Sequence, residues 1–164
     1  MRVELISRGP GGTEALGSRL AAALPDGTAI GLVGGLGCGK TCFARGVAAG
    51  LGIDPDDVAS PTFVYLVEYS GGRMPLRHAD LYRLEGLAPD AAAEAFAGIG
   101  LYEALEGPGI TVVEWWDRYV GPPPALLTVV EFVVENVDVR SLTLTFSGAA
   151  LAPVAHGFGG ARTR

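Results

Sequence analysis

Residues 29–41 read Ala-Ile-Gly-Leu-Val-Gly-Gly-Leu-Gly-Cys-Gly-Lys-Thr, and this stretch decides the fold. Its first five residues form a short apolar run, which is typical of a strand buried on both faces. The glycines that follow, with Lys40 and Thr41, match the pattern in which backbone amides surround nucleotide phosphates. Lys40 is the only lysine in the chain, and its compact ammonium suits the space between β- and γ-phosphates better than the planar guanidinium of arginine. The stretch therefore predicts a P-loop, a nucleotide-binding loop between a strand and a helix.

The residues after Lys40 provide the helix that this motif requires. Phe43, Val47 and Leu51 recur at every fourth position, which predicts a helix with one buried stripe. Gly52 is a plausible C-terminal stop for that helix. The order of strand, loop and helix makes the match more specific than the glycine pattern alone.

The flanking segments predict further helices and strands. Thr13 can cap an N-terminal helix that carries Leu16, Leu20 and Leu24 and ends at the turn of residues 25–27. The other predicted elements are a hairpin of residues 64–69 and 74–78, a helical region of 89–105 interrupted at 98–100, a buried strand of 110–113, and an antiparallel pair of 126–135 and 140–146.

These elements predict an α/β fold, a single P-loop NTPase-like domain with a mixed central sheet flanked by helices and a C-terminal antiparallel strand pair. The chain has 164 residues and 49% are apolar, which suits one domain with a full core. We assign residues 1–148 to the P-loop ATPase domain. Residues 149–164 are small and glycine-rich, and we expect them to form a flexible C-terminal tail.

Charge and cysteine content narrow the class of protein. The net charge is −6, so extended direct binding to RNA or DNA is not expected. The sequence has no signal-peptide pattern at its start and no run of about 20 apolar residues, so we expect no membrane association and a cytoplasmic location. The two cysteines, Cys38 and Cys42, suggest neither a disulfide framework nor a zinc site; small filler residues or a redox-sensitive loop are the two interpretations.

The P-loop pattern predicts particular contacts. The amides of about residues 37–42 would point at phosphate oxygens, and the N-terminus of the following helix adds a favourable dipole. Lys40 would bridge the β- and γ-phosphates, and the Thr41 hydroxyl would bind Mg²⁺, a hard cation that prefers oxygen ligands.

A magnesium-dependent site also requires a carboxylate at the end of a neighbouring strand, and two residues qualify. Glu114 closes the cleaner apolar run, which favours it as the metal-side group, directly or through water. Asp80 follows a more polar segment and would orient water or metal. The alternative for each is a surface charge or a helix cap.

Three other residue types in this part of the chain have both a functional and a structural interpretation. Thr62, in a Ser-Pro-Thr loop, could sense the γ-phosphate or could simply stabilise a turn. His78 is more typical of a structural histidine than of a catalyst. Trp115 and Trp116 are expected to pack in the core or at its edge, because basic neighbours that would accompany nucleic-acid stacking are sparse.

Four motifs occur in order along the chain: Gly-Gly-Leu-Gly-Cys-Gly-Lys-Thr at 34–41, Ser-Pro-Thr-Phe at 60–63, His-Ala-Asp-Leu-Tyr-Arg at 78–83 and Glu-Trp at 114–115. Together they closely resemble the TsaE family, the bacterial ATPase required for threonylcarbamoyladenosine formation at position 37 of tRNAs that decode codons starting with A. The likeness runs from about Thr13 to Gly148. The P-loop alone is shared by many families, whereas the combination is far more specific.

The resemblance implies a domain that binds ATP or ADP with Mg²⁺ and joins the TsaB and TsaD proteins, the latter being the threonylcarbamoyl transferase. ATP hydrolysis would reset that assembly between turnovers, and contact with tRNA would be indirect, through the assembly.

The family pattern also assigns roles to residues. Thr41 and Glu114 fall on the magnesium positions, Asp80 on a position important for hydrolysis, and Thr62 on a switch-like threonine. The predicted nucleotide-binding set is Thr13, Gly35, Leu36, Gly37, Cys38, Gly39, Lys40, Thr41, Cys42 and Arg140, and the predicted catalytic set is Lys40, Thr62, Asp80 and Glu114.

The chain departs from the family pattern at three positions. Gly35 stands where an aspartate is usual, Cys38 where alanine is common, and Ala79 where the pattern has phenylalanine. We expect the missing carboxylate at Gly35 to change the rate of hydrolysis more than the affinity for nucleotide. Cys38 adds an oxidisable thiol.

We therefore expect an ATPase that is weak alone, because no arginine finger is obvious in the sequence; Arg83 or a partner's residue could supply one. Two alternatives stay open. A P-loop small-molecule kinase would need an acceptor site and an arginine-bearing lid, and no compact arginine cluster suggests one. A non-hydrolysing docking switch would use Asp80 and Glu114 to tune nucleotide affinity.

Overall fold

The computed structural model describes residues 1–62 and 65–159, which form seven strands and five α-helices. The strands are β1 (Arg2–Arg8), β2 (Thr28–Val33), β3 (Leu66–Tyr69), β4 (Leu76–Asp80), β5 (Ile110–Glu114), β6 (Leu127–Val134) and β7 (Val139–Ser147). The helices are α1 (Gly9–Ala23), α2 (Lys40–Leu51), α3 (Pro89–Gly98), α4 (Leu101–Glu106) and α5 (Ala152–Gly159).

The strands form one mixed sheet in the order β1-β7-β6-β2-β5-β4-β3. Strand β2 lies between β5 and β6 and is parallel to both, and β4 is parallel to β5. The pairs β1–β7, β6–β7 and β3–β4 are antiparallel. The predicted fold class is confirmed. Because β2, β4 and β5 are mutually parallel, their carboxyl ends meet at one edge of the sheet, which is where ligands bind in open α/β sheets.

Helices cover the sheet on both faces. On one face, α1, α2 and α5 pack through Leu20, Phe43, Val47 and Phe158 against strand residues that include Leu32 and Val112. On the other face, Phe96, Leu101 and Leu105 of α3 and α4 pack against Ala29, Ala79 and Val113. The central strands β2 and β5 are therefore buried on both faces, as their continuous apolar sequences predict.

The N-terminal segment differs from the sequence prediction. Residues 2–8 form strand β1, in which Val3, Leu5 and Ser7 point to the buried side. Helix α1 begins at Gly9, with Pro10 in its first turn, so the prediction that Thr13 caps the helix is wrong. Thr13 lies in the second turn, 2% exposed, and its Oγ1 is 2.6 Å from Ser7 Oγ.

The predicted flexible tail is also wrong for residues 149–159. A 3₁₀ turn at Ala149–Leu151 leads into α5, and Leu151, Val154, Ala155 and Phe158 are all buried. These positions have the i, i+3, i+4, i+7 spacing of an amphipathic helix, and alanine has the highest helix propensity. Residues 160–164 lie outside the described part of the chain, as do residues 63 and 64 of the predicted loop and hairpin.

The packing of α5 leads to a stability prediction at Phe158. Its ring lies 6.3 Å from the ring of Phe146, and the Arg19 guanidinium lies 4.1 Å above it. We expect Phe158→Leu to lower the free energy of unfolding by about 1 kcal/mol, since both ring contacts are lost while most apolar volume is kept. Urea unfolding would measure this change, with His156→Ala on the exposed side of α5 as the control. Equal stability of Phe158→Leu and the control would contradict a packed α5.

Within residues 1–62 and 65–159, none of the helices has the length and hydrophobicity of a membrane span.

Candidate functional site

The glycine-rich loop, residues 34–39, joins the carboxyl end of β2 to the N-terminus of α2. Gly37 has φ of 72° and Gly39 has φ of 118°, which are backbone conformations that glycine adopts without strain. Gly39 is also the N-cap of α2, and it has no side chain to accept hydrogen bonds from the first helical amides. The loop thus presents the open amide end of a 12-residue helix.

The Lys40 ammonium lies inside this loop. It is 5% exposed, and its Nζ donates hydrogen bonds to the carbonyls of Gly34 at 2.6 Å and Gly35 at 2.9 Å. Nζ also lies 3.8 Å from the centre of the Trp115 ring. The salt bridges found among the described residues do not include Lys40. A buried cation without a carboxylate partner is costly, so this position favours an anionic ligand.

Trp115 is held over Lys40 by its backbone and by its neighbours. It has φ of 61°, an uncommon conformation for a bulky residue, which turns the chain directly after Glu114. Arg118 lies 4.3 Å from the Trp115 ring centre, and the rings of Tyr82 and Trp115 are 5.3 Å apart. Trp116 packs beside Gly31 and stacks on Tyr119, as the packing prediction expects. The contact of Trp115 with Lys40 was not predicted from the sequence. The position of Trp115 directly after Glu114 could have indicated that its ring lies near the site.

Glu114 joins three elements of the site. Its Oε1 accepts a hydrogen bond from Thr41 Oγ1 of α2 at 2.9 Å and lies 2.8 Å from His78 Nε2 of β4. Glu114 is 3% exposed and pairs in register with Asp80 on the neighbouring strand β4. The two predicted carboxylates therefore lie side by side at the carboxyl edge of the sheet.

Asp80 is held by three donors. Its Oδ2 accepts from Ser60 Oγ at 2.5 Å and Thr62 Oγ1 at 2.8 Å, and its Oδ1 accepts from the Tyr82 amide at 2.8 Å. Thr62 is therefore bound to Asp80 in this structure. Ser60 was not predicted as a site residue, and its place in the same Ser-Pro-Thr loop was the available signal.

A cavity of about 510 Å³ brings most of the predicted residues together. Its lining comprises Leu36, Gly37, Gly39, Lys40, Thr41, Cys42, Ser60, Thr62, Asp80, Tyr82, Glu114 and Trp115. Gly35 and Cys38 are not in this lining. The Gly35 carbonyl faces Lys40, and the Cys38 side chain is 1% exposed, with its sulfur 3.7 Å from Lys40 Nζ.

A second cavity of about 330 Å³ shares Gly37, Gly39 and Cys42 with the first. It is also lined by Gly9, Pro10, Thr13, Val137, Asp138 and Arg140. Arg140 Nε donates to the Cys38 carbonyl at 3.3 Å, so this side chain links β7 to the glycine-rich loop. Thr13 and Arg140, far apart in sequence, thus meet at the loop.

The donor set fits a nucleotide and Mg²⁺. The described residues contain no group of three or more His, Cys, Asp or Glu side chains that could enclose a metal alone. Mg²⁺ commonly uses one or two protein ligands and completes its octahedron with phosphate oxygens and water. The Thr41 hydroxyl, which keeps a lone pair while it donates to Glu114, and the Glu114 carboxylate are suitable oxygen ligands.

Cys42 stands between the two cavities and is partly exposed. Its thiol donates to the Pro10 carbonyl at 3.2 Å and lies 3.7 Å from Glu14 Oε1. Burial raises the pKa of this thiol above its ordinary value, and the Glu14 carboxylate raises the pKa further.

We expect Glu14→Gln to accelerate alkylation of Cys42 severalfold at about pH 8, because only the thiolate form of the cysteine reacts. Removing the Glu14 carboxylate lowers the pKa of the thiol and so increases the thiolate fraction. Iodoacetamide kinetics followed by mass spectrometry would measure the rate. Buried Cys38 serves as the internal control and should react slowly in both proteins. An unchanged Cys42 rate would contradict the effect of Glu14.

The chain is similar in sequence and in fold to known proteins. Residues 8–142 match the family model described as threonylcarbamoyl adenosine biosynthesis protein TsaE. The chain is 36% identical over 139 residues to the tRNA threonylcarbamoyladenosine biosynthesis protein TsaE of Treponema pallidum, covering 85% of this chain and 97% of the relative. The protein of the same name from Synechocystis is 44% identical over 107 residues, 65% of each chain. The crystal structure of Bacillus subtilis YdiB superposes with a TM-score of 0.69 at 29% identity, covering 96% of this chain and 94% of YdiB.

The sheet order and the loop between β2 and α2 define the chain as a P-loop NTPase-like α/β domain. The family match covers most of its length. The chain belongs to the TsaE family.

Proposed function

We propose that the chain binds ATP or ADP with Mg²⁺, hydrolyses ATP, and acts with TsaB and TsaD in the formation of threonylcarbamoyladenosine at position 37 of tRNA, in the cytoplasm. The observation that carries the proposal is the Lys40 ammonium, which is buried beside the Thr41–Glu114 pair and has no carboxylate partner among the described residues. The names of the relatives support the pathway.

The residues around the larger cavity have separate roles in this proposal. Lys40 and the first amides of α2 would hold the phosphates, since both carry positive charge or partial charge. Thr41 and Glu114 would hold Mg²⁺. When bound, that ion would neutralise charge on the phosphate oxygens and so favour phosphoryl transfer to water.

The second cavity suits the nucleoside part of the ligand. It continues from the glycine-rich loop past Gly39 and Cys42 towards Thr13 and Arg140. Because phosphates held by Lys40 would occupy the first cavity, the base and sugar would extend along the loop into the second. Its lining includes the apolar side chains of Pro10 and Val137, which suit a planar base.

Hydrolysis by the chain alone should be slow. Ser60, Thr62 and the Tyr82 amide all donate to Asp80, so both carboxylate oxygens are already engaged and fewer lone pairs are left to orient an attacking water. Movement of Ser60 and Thr62 away from Asp80 would leave it able to orient water. We propose that docking of TsaB and TsaD favours this movement. The hydrogen bonds to Asp80 also favour the docking switch as the second candidate function. In that case Asp80 stays hydrogen-bonded to Ser60 and Thr62, and ATP is not hydrolysed.

Phosphate release from ATP separates these functions. The wild-type chain would be assayed with Mg²⁺ alone, with TsaB and TsaD, and with a panel of kinase acceptors. The matched control is Glu114→Gln, which keeps the side-chain shape but removes the charge. We expect slow release alone, faster release with TsaB and TsaD, and at least a tenfold loss in the control, because one charged group that faces the metal is removed. Acceptor phosphorylation would instead indicate a kinase, and binding without release under any condition would indicate the switch.

A cellular measurement tests the pathway separately. Depletion of the protein should lower threonylcarbamoyladenosine in total tRNA, as measured by mass spectrometry of nucleosides. Unchanged nucleoside levels would refute the pathway assignment even if ATP hydrolysis is observed. The net charge of −6 supports an indirect contact with tRNA, made through the assembly.

A further inference from the structure

His78 is fully buried beneath the site, on the strand next to Glu114. Its Nε2 lies 2.8 Å from Glu114 Oε1. Its other ring nitrogen, Nδ1, has no hydrogen-bond partner within residues 1–62 and 65–159. The ring therefore makes one polar contact, and that contact is with the residue proposed to face the metal.

The chemistry of the pair fixes the direction of this hydrogen bond. A glutamate carboxylate can only accept hydrogen bonds, so Nε2 carries the proton and donates it. In the neutral ring Nδ1 then has only a lone pair, which costs less to bury without a partner than an N–H group would. The contact thus selects one tautomer of His78.

Packing alone does not explain a histidine at this position. A side chain such as leucine would fill the interior without leaving a polar atom unpartnered, and burying an unpartnered polar atom is unfavourable. The neighbouring residue on the same face of β4, Leu76, is apolar and fully buried. What His78 supplies that an apolar residue could not is the proton shared with Glu114.

We propose that His78 is a positioning residue for the magnesium site. Glu114 Oε1 accepts from Thr41 on α2 and from His78 on β4, so donors from two different elements fix the orientation of one carboxylate. Without His78, the carboxylate would be free to rotate away from Thr41. The inference rests on the proposed function, because it concerns the oxygen pair that would hold Mg²⁺.

Two substitutions replace the ring with an amide, and only one of them can keep the hydrogen bond to Glu114. In His78→Gln the side-chain amide nitrogen reaches close to the position of Nε2 and can donate to Glu114. His78→Asn is also polar, but its amide is one carbon shorter and cannot reach Oε1. The two variants therefore share the same polar group and differ by one methylene and by the contact with Glu114.

The measurement is the affinity for a fluorescent ADP, methylanthraniloyl-ADP, in EDTA and across a Mg²⁺ titration. We expect His78→Asn to bind as the wild type does in EDTA but to need roughly tenfold more Mg²⁺ or higher for half-maximal enhancement, which is the usual effect of losing a group that orients a metal ligand. His78→Gln should restore the Mg²⁺ requirement. Circular dichroism and thermal unfolding would show that both variants are folded.

Nitrogen NMR tests the hydrogen bond without any nucleotide. The chain has two histidines, His78 and the exposed His156, so His78→Gln assigns the His78 signals directly. Long-range ¹H–¹⁵N spectra of the free wild-type protein should show the Nε2–H tautomer for His78. The Nδ1–H tautomer would overturn the inference.

The binding outcomes distinguish this inference from the proposed function. If wild-type protein binds nucleotide but His78→Asn loses affinity equally in EDTA and in Mg²⁺, His78 has a general structural role and the inference is wrong. The same conclusion follows if the Mg²⁺ requirement of His78→Asn is unchanged. If the wild type binds no nucleotide in either buffer, the proposed function itself fails, and the inference fails with it.

Discussion

Lys40→Ala is expected to weaken ATP binding by roughly 100-fold or more, since charge-assisted hydrogen bonds contribute about 1.5–3 kcal/mol each and 1.4 kcal/mol corresponds to a factor of ten. The Lys40 ammonium already lies between the Gly34 and Gly35 carbonyls, so little conformational change is needed for it to meet a phosphate. Alanine removes this cation and leaves the amides of α2 as the main phosphate contacts. Isothermal titration calorimetry with ATP and Mg²⁺ would measure the loss.

The arginine variant tests why this position holds the only lysine of the chain. Lys40→Arg keeps the charge, but the planar guanidinium is wider than an ammonium and must fit between the loop carbonyls and the Trp115 ring, 3.8 Å from Nζ. We expect Lys40→Arg to bind ATP nearly as weakly as Lys40→Ala. For Lys40→Ala, which changes the net charge by one unit, the matched control is Arg2→Ala, because it removes an exposed cation on β1. Wild-type affinity in Lys40→Arg would contradict the requirement for a compact cation.

The central part of the fold could be predicted because its signals are local. Strand β2, the loop and helix α2 are consecutive in sequence, and each has a pattern that depends on near neighbours. Strands β5, β6 and β7 and the break between α3 and α4 were predicted for the same reason. The sequence favours Glu114 over Asp80 as the metal-side carboxylate, and the hydrogen bond between Thr41 and Glu114 agrees with that choice. The metal-binding role itself stays a prediction.

The errors arose where tertiary contacts decide the structure. Strand β1 exists because it pairs with β7, and α5 is stable because it packs against β1; both contacts join segments that are far apart in sequence. A cap at Thr13 was plausible from residue type, but Gly9 and Pro10 start the helix earlier. His78 and Ser60 contact carboxylates on other strands, and the local sequence does not show which strands lie side by side.

The contact between α1 and α2 depends on glycine in a way that the sequence alone did not indicate. A Cβ at Gly46 would overlap the backbone carbonyl of Glu14, and a Cβ at Gly50 would overlap that of Ser18. On the other helix, a Cβ at Gly17 would overlap the Phe43 carbonyl. At these three positions the two helices therefore touch backbone to backbone.

We expect Gly46→Ala to lower the free energy of unfolding by about 3 kcal/mol, at the upper end of the usual range for overpacked sites, because rigid backbone must shift. For a domain of this size that corresponds to a fall in Tm of roughly 6–12 °C. The 3 kcal/mol is the net loss; the packing cost itself is larger by about 1 kcal/mol, because the higher helix propensity of alanine offsets that much of it. Gly157→Ala in α5, where a Cβ would meet nothing within 4 Å, is the control and should be neutral or slightly stabilising.

The same substitution should also weaken nucleotide binding, and this links the packing to the site. Helix α2 begins at Lys40, and Thr13 of α1 lies against Gly39, so separation of the two helices moves both sides of the loop relative to each other. Calorimetry on folded Gly46→Ala at low temperature should therefore show lower ATP affinity than Gly157→Ala. If Gly46→Ala is destabilised but binds ATP with wild-type affinity, the helix contact supports the fold alone and α1 does not help to position the loop.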